Sequence, residues 1–483
     1  MRHLAALSAL LAACQPPPAP QPRAATLAPA PAPAPPSVGV VGCVAPPTAV
    51  PATPPPLLVA PILAEISPQR MQAAVASLVG FGTRHTLSAT DHPTRGIGAA
   101  RAWIRDELTR HAAAGRRDDP MQVAFDPHRI EPDGKRVDRP VDVINVIAEL
   151  PGAMPEARAR RYYVVGHYDS RASDPMNSTI DAPGADDDAS GTAVVLELAR
   201  VLAPHRFDAT LVFMASAGEE QGLIGARRHA EAARQAGLQI RGVLSNDIVG
   251  DPRDPRGGGH RDHIRVFSEA MPSPLDDAAL QQIRKLSAVA DSPSRQLARH
   301  VADVGAWQTT PVQAMLVLRP DRFLRGGDHT AFTENGFPAV RFTEVAENYD
   351  RQHQDVRTEG ARAYGDVLEY VDADYLAGVA RLNAAALIHL ASAPSAPGDV
   401  QILVAELGND TTLRWTASPE PDLAGYELLR RDTTAATWQH ADDLGAVTTV
   451  TVPHSKDNWF FAVRAYDRDG FRSPAAFPRI AEK

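Results

Sequence analysis

Apolar and polar positions change period several times along the chain, and those changes outline its elements. Ile97, Ala100, Ile104 and Leu108 recur at three and four residues, which predicts a helix over 95–111 with one apolar face. Ahead of it, Ser67-Pro68 followed by Gln69 to Val75 has a capping hydroxyl and a Pro at the first helical position. The runs Val141 to Leu150, Tyr162 to Gly166, Thr210 to Met214, Gly242 to Ser245 and Pro338 to Phe342 are short strands, most of them continuously apolar. Helical stretches over 192–202 and 222–235 alternate with them. Such alternation predicts an α/β fold, a mixed but mainly parallel sheet flanked by helices on both faces. Beyond the Pro/Ser linker 392–398 the pattern becomes all-β. Strands over 400–405, 411–417, 425–431, 447–452 and 459–467 predict a C-terminal sandwich spanning 397–483.

Composition changes the picture mainly at the N-terminal end. Of the 43 prolines, 17 fall between residues 15 and 61, where Arg23 is the single charge. Such a stretch has little apolar surface to bury against its chain entropy, so 15–65 is expected to be a disordered linker, with the folded body from Ile66. Met1-Arg2-His3 and the apolar run Leu4 to Ala13 form an export signal too short to span a bilayer. Leu11-Ala12-Ala13-Cys14 resembles the lipobox of bacterial lipoproteins, which implies lipidation at Cys14 and an exported, envelope-anchored protein with the outer membrane as the expected address; the alternative is a plain secretory signal and a secreted protein. No run of about 20 apolar residues occurs, so no transmembrane helix is expected. Cys14 and Cys43 are the two cysteines of the chain, and both precede the body. A disulfide framework and a thiolate metal site are thereby excluded from the body. The balance of 49 basic and 58 acidic residues, a net charge of −9, argues against nucleic acid as a partner.

Chemistry gathers where the apolar strands end. His167 and Asp169 follow one strand, Glu219 and Glu220 a second, Asp247 a third, and His353 a fourth after a loop. Asp186-Asp187-Asp188 lies just before a helix. In an open α/β sheet, sites form outside the carboxyl ends of the strands. Imidazole and carboxylate without thiolate suit zinc or a similar divalent cation, and a surplus over three ligands points to a pair of cations sharing one carboxylate. Any one of these elements taken alone is more often a cap or a solvated loop. Their recurrence at successive strand ends reverses that balance.

Gly166-His167-Tyr168-Asp169-Ser170, Pro183 to Gly191, Gly218-Glu219-Glu220-Gln221-Gly222, Asn246-Asp247 and Gln352 to Asp355 resemble the signature blocks of the M28 zinc aminopeptidases. The likeness extends over roughly 66–392. It implies the zinc exopeptidase fold, two Zn2+ per chain and peptide substrates. Asp187 would bridge both cations, with Glu220 and His353 completing one site and His167 and Asp247 the other. Asp169 would hold the His167 imidazole from behind. Glu219 would be the general base that takes a proton from a water bridging the metals and passes it to the leaving amine. Gly326 to Phe332 resembles a further block, placing Asp328 and His329 beside the metals rather than on them. Family members carry an aromatic hydroxyl just before that block, whereas here Phe323-Leu324-Arg325 stands there, leaving Tyr349 as the candidate helper. His260 and His263 have ligand-like spacing in a Gly- and Arg-rich segment but no strand context, so they are expected to be surface residues on a mobile loop.

Leu413-Arg414-Trp415 and Phe461 to Gly470 resemble strands of a fibronectin type III domain, with Trp415 as core tryptophan and Trp459 where that family usually has Tyr. The expected activity is removal of N-terminal residues from peptides. A carboxypeptidase, a glutaminyl cyclase with one zinc, or an inactive scaffold or receptor on the same fold are the alternatives.

Overall fold

The computed structural model describes residues 59–405 and 407–481. Cys14, Cys43 and the export signal lie outside them. The body starts earlier than its composition suggests. Helix α1 (Val59–Ala64) falls inside the Pro-rich stretch, because Val59, Ile62 and Leu63 share one face and are buried in the main core. Helix α2 (Pro68–Val79) begins as its sequence indicates, with Ser67 Oγ accepting from the Arg70 N–H. Helix α3 (Gly96–Ala114) buries Ile97, Ala100, Ile104 and Leu108.

Eight strands form one sheet: β1 (Gln122–Ile130), β2 (Val141–Leu150), β3 (Arg160–His167), β4 (Thr210–Ser216), β5 (Gln239–Asn246), β6 (His263–Phe267), β7 (Gln313–Val317) and β8 (Ala339–Thr343). Their order is β1-β2-β4-β3-β5-β8-β6-β7. The central run β4-β3-β5-β8 is parallel, while β1, β2 and β6 pair antiparallel with their inner neighbours. The mixed, mainly parallel sheet is therefore present. Strand β1 escapes the pattern because it is a polar edge strand, with only Ile130 buried.

Alternation along the central strands builds the two faces. Tyr162, Val164, Leu211 and Phe213 join the core under α2, α3, α4 (Ala189–Leu202) and α9 (Ala373–Ser392). Tyr163, Val165, Val212 and Met214 face α5 (Ile224–Gln235) and α8 (Asp328–Thr333) instead. Each fully buried Val, Leu or Phe contributes roughly 1.5–3 kcal/mol. Helix α9 is apolar nearly all round and lies within the core, so it shows little amphipathic period.

The remaining helices of the body are α6 (Asp277–Leu286) and α7 (Pro293–Trp307), and β9 (Arg357–Glu359) pairs with β10 (Arg362–Tyr364) in a small ribbon. His263 is the first residue of β6, which corrects the expectation of no strand context, while His260 and His263 are surface-exposed as expected. The segment before them is anchored at Asp251, which is buried and pairs with Arg253 and Arg351.

At the C-terminal end, β15 (Thr449–Val452), β12 (Thr411–Thr416), β11 (Gly398–Leu403) and β17 (Arg479–Ile480) make one sheet. Strands β14 (His440–Gly445), β13 (Leu423–Asp432) and β16 (Trp459–Asp467) make the other. Trp415, Leu428, Phe461 and Val463 share the core between them. Strand β14 is polar and largely exposed, so no apolar alternation marks it.

The residues between body and sandwich are held in place. Arg160, at the start of β3, donates to Glu420 at 2.8 Å and to the Ala393 carbonyl at 2.7 Å. Glu420 also accepts from the Ser395 N–H and hydroxyl. Asp291 is gripped by Arg299 of α7 at 3.0 Å and Arg431 of β13 at 2.7 Å, with all three side chains buried. Trp438 donates from Nε1 to Gln296 at 3.2 Å.

Candidate metal centre

Strands β3, β4, β5 and β8 run in the same direction, so their carboxyl ends open onto one edge of the sheet. His167 ends β3, Glu219 and Glu220 follow β4, and Asp247 follows β5. The N-terminus of α4 comes against them through two glycines. A Cβ on Gly166 would lie 2.4 Å from the Gly191 backbone, so only glycine permits this approach of helix to strand.

The three consecutive aspartates before α4 do three different things. Asp188 caps the helix by accepting from the Gly191 N–H at 2.8 Å, and its other oxygen accepts from the His167 N–H at 2.9 Å. Asp186 accepts from the Gly250 N–H at 2.6 Å, and burial next to Asp251 raises its carboxyl to about 7. Asp187 faces the opening: Oδ1 is 3.1 Å from His167 Nε2 and Oδ2 is 3.0 Å from His353 Nε2. One carboxylate thus touches two separate imidazoles.

Around it, ligand atoms of Asp187, Glu220 and His353 lie within 4.8 Å of one another, and so do those of His167, Glu219 and Asp247. Glu220 Oε1 is 3.1 Å from His353 Nε2, and Asp247 Oδ2 is 4.0 Å from His167 Nε2. His353 takes a left-handed backbone (φ 52°) that costs a non-glycine residue on the order of 1–3 kcal/mol. Such strain is concentrated at functional positions.

The donor chemistry fits a cation pair. His167 Nε2 and Glu220 Oε1 are buried without a hydrogen-bond partner. Ligands of a tetrahedral zinc with bonds of about 2.0–2.1 Å stand about 3.3 Å apart, close to the contacts made by Asp187 and Glu220. Electrostatics point the same way. Burial alone would lower the His353 pKa, yet Glu220 and Asp187 outweigh it and hold the imidazole up at about 10. His167 is likewise raised well above its usual value, against burial, by Asp188, Asp169 and Asp187. The carboxylate surplus demands positive charge here.

Asp169 reaches the His167 imidazole from behind chiefly through its backbone. His167 Nδ1 lies 3.1 Å from the Asp169 backbone oxygen, whereas the nearest Asp169 carboxylate oxygen is 3.6 Å away. That carboxylate accepts instead from Thr86 Oγ1 at 2.9 Å and from the Glu219 and Glu220 N–H groups at 3.2 Å each. It therefore steadies the Glu219-Glu220 turn and the imidazole together. Asp328 is buried and accepts from Ser216 Oγ, and burial raises its carboxyl to about 6. His329 faces elsewhere, its Nε2 donating to the Pro320 carbonyl at 2.8 Å. Tyr349 is 60 % exposed beside Arg325, and none of the described residues lining the cleft is a tyrosine.

Several supporting residues carried no signal in the sequence. Arg341, in the apolar run of β8, is fully buried and pairs with Asp247 at 2.7 Å and Asp321 at 3.2 Å. A lone Arg inside such a run was the one available clue. The Asp366 carboxylate accepts from the Asp186 and Asp187 N–H groups. Arg84 is buried and donates to the carbonyls of Leu78, Tyr168, Pro183 and Gly184, tying the loops on either side of the centre.

Comparisons with known proteins point to one family. The pattern of Peptidase family M28 matches residues 145–373. A "Probable zinc metalloprotease" of Pyrenophora teres f. teres is 43% identical over 416 residues, covering 86% of this chain and 85% of that one. Another of the same name from Pyricularia oryzae is 45% identical over 424 residues, covering 86% and 83%. Among solved structures, LapB from Legionella pneumophila aligns at 18% identity and a TM-score of 0.48, covering 71% of this chain and 77% of that one. Sheet, ligand set and cleft define a metallopeptidase. The chain belongs to peptidase family M28.

Proposed function

We propose that the protein is a di-zinc aminopeptidase that removes N-terminal residues from peptides. The observation that supports it best is Asp187, whose two oxygens each face a different imidazole. One cation would be held by His167, Asp187 and Asp247, the other by Asp187, Glu220 and His353. Bound zinc supplies Lewis-acid polarisation of the scissile carbonyl and acidifies water. Glu219 lines the cleft, and burial with Asp247 and Glu220 nearby pushes its carboxyl up, which suits a group that accepts a proton and returns it to the leaving amine. Its backbone is fixed by Asp169.

Glu219 also lies within ligand reach of His167 and Asp247, so base and ligand roles make opposite forecasts. Glu219→Gln should retain two zinc per chain and lose about 10²–10⁴-fold in turnover. Loss of zinc from that variant, measured by elemental analysis, would reassign Glu219 as a ligand. A glutaminyl cyclase would need one zinc and a scaffold none, and two complete triads favour neither. Leu4 to Cys14 remains the proposed export signal and lipid anchor. The C-terminal sandwich is proposed as a fibronectin type III-like module serving as a structural brace.

A further inference from the structure

The cleft above the metal centre has a volume of about 210 Å³ and is lined by Arg136, Arg171, Arg322 and Arg325, two glycines and the centre's own groups. Among the described residues lining it there is no aliphatic side chain and no Phe, Tyr or Trp. A pocket for a leucine or phenylalanine side chain would present apolar walls. This one presents guanidinium groups.

Those four cations are unequally engaged. Arg322 donates to Glu347 at 2.7 Å and to Asp321 at 3.1 Å, so it serves the wall. Arg325 reaches Gln352 at 3.4 Å and lies 3.8 Å from Glu347, which Arg322 and Arg265 already occupy. The Arg136 guanidinium has no carboxylate within 4.0 Å among the described residues and donates to the Glu220 carbonyl at 3.3 Å, while its backbone N–H is taken by Asp133. The nearest carboxylate to Arg171 is Glu220 at 3.9 Å, a group that faces the metal centre. With two divalent cations bound, the charge of Asp187, Glu220 and Asp247 is offset, and the rim becomes net positive. A lysine side chain approaching it meets repulsion. A carboxylate meets planar, charge-assisted donors suited to bidentate pairing.

We infer that the cleft selects peptides carrying a carboxylate beside the scissile bond, gripped by Arg136, Arg171 and Arg325. This rests on the peptidase reading above. The carboxylate has two possible sources of the same chemistry: the side chain of an N-terminal Glu or Asp, or the free C-terminus of a dipeptide.

The zinc-loaded full chain separates them. Its kcat/KM should be compared on Glu-, Asp-, Leu- and Lys-methylcoumarin amides, and on Leu-Leu against Leu-Leu-amide. Side-chain recognition gives at least a tenfold preference for Glu or Asp over Leu and Lys. C-terminal recognition gives the same preference for the free dipeptide over its amide. Arg136→Ala and Arg325→Ala should each reduce that ratio about tenfold, mainly through KM, with zinc content unchanged and Arg325→Lys recovering part of it. In a binding readout independent of turnover, free glutamate should raise the Tm of the zinc-loaded protein more than free leucine does, or a free dipeptide more than its amide. Faster hydrolysis of Leu-amide, with no discrimination by the free carboxylate, would overturn the inference and leave the peptidase reading standing. Hydrolysis of none of the substrates would remove the peptidase reading, and the Tm comparison would still decide whether the cleft binds carboxylates.

Discussion

Two of the places where the described residues bury charge are built on opposite principles. Where the sandwich meets the body, two buried carboxylates are each held directly by a guanidinium of opposite sign: Asp291 by Arg299 and Arg431, and Glu420 by Arg160, with Ser395 donating to it as well. At the carboxyl edge of the sheet, Asp187, Glu219, Glu220 and Asp247 converge on two imidazoles, and Asp247 has Arg341 as its buried cation. Matched pairs hold a shape together and need nothing further. A convergent surplus of one sign, with ligand atoms such as His167 Nε2 left unpartnered, is a place for something that is not protein. The lesson is that burial of charge does not identify a site, whereas imbalance does.

Removing the central carboxylate from each region breaks the comparison most sharply. Asp187→Ala should abolish turnover and lose most bound metal while the apo-protein remains folded, since Glu220 and Asp247 still face the two imidazoles. Asp291→Ala should do the reverse, leaving Arg299 and Arg431 buried without a carboxylate and lowering stability by about 3–5 kcal/mol, with zinc per folded chain unchanged. Calorimetry and elemental analysis on both variants check this. If Asp291→Ala lost zinc and Asp187→Ala lost only stability, the assignment of roles would be reversed.

A chelator sharpens the same contrast with a smaller effect. Removing zinc should lower Tm, because metal at about 100 times its Kd stabilises the fold by roughly 2.7 kcal/mol, and added zinc should restore it. The shift should vanish in Asp187→Ala and persist in Asp291→Ala.

The smallest effect concerns pH at the sandwich contact. His389 of α9 packs its ring 5.2 Å from Phe471, and burial lowers its pKa to about 3. The folded chain keeps this imidazole neutral, while the unfolded chain takes a proton below about 6.5. Stability from this group is therefore present above 6.5 and falls as pH drops from 6.5 towards 3. His389→Gln should flatten that part of the stability–pH curve. An unchanged slope in urea titrations at pH 7 and pH 5 would remove His389 from the account.

Much of this arrangement was legible in the residues because it rests on short-range rules. The strands β3, β4, β5 and β8 are apolar on both faces, so the residues that end them stand out, and all five proposed ligands fall on one edge. Asp187 was distinguishable within its triplet only through likeness to a family. What could not be read were partners that depend on distant chain segments. Asp366 lies 179 residues beyond Asp187, and Arg84 gathers carbonyls up to 100 residues away. The sandwich, joined through a short Pro/Ser linker, is clamped by pairs that no local pattern reveals, such as Arg160 with Glu420 at a separation of 260 residues. The early start of the body at α1 was hidden because six residues amid prolines carry too little period to outweigh composition.

The central claim is that Asp187 is shared by two cations. Anomalous diffraction from crystals of the zinc-loaded protein, collected on both sides of the zinc absorption edge, tests it directly. The account predicts two zinc peaks flanking the Asp187 carboxylate, one next to His167 and the other next to His353. A single peak, or two peaks of which neither touches Asp187, would contradict it.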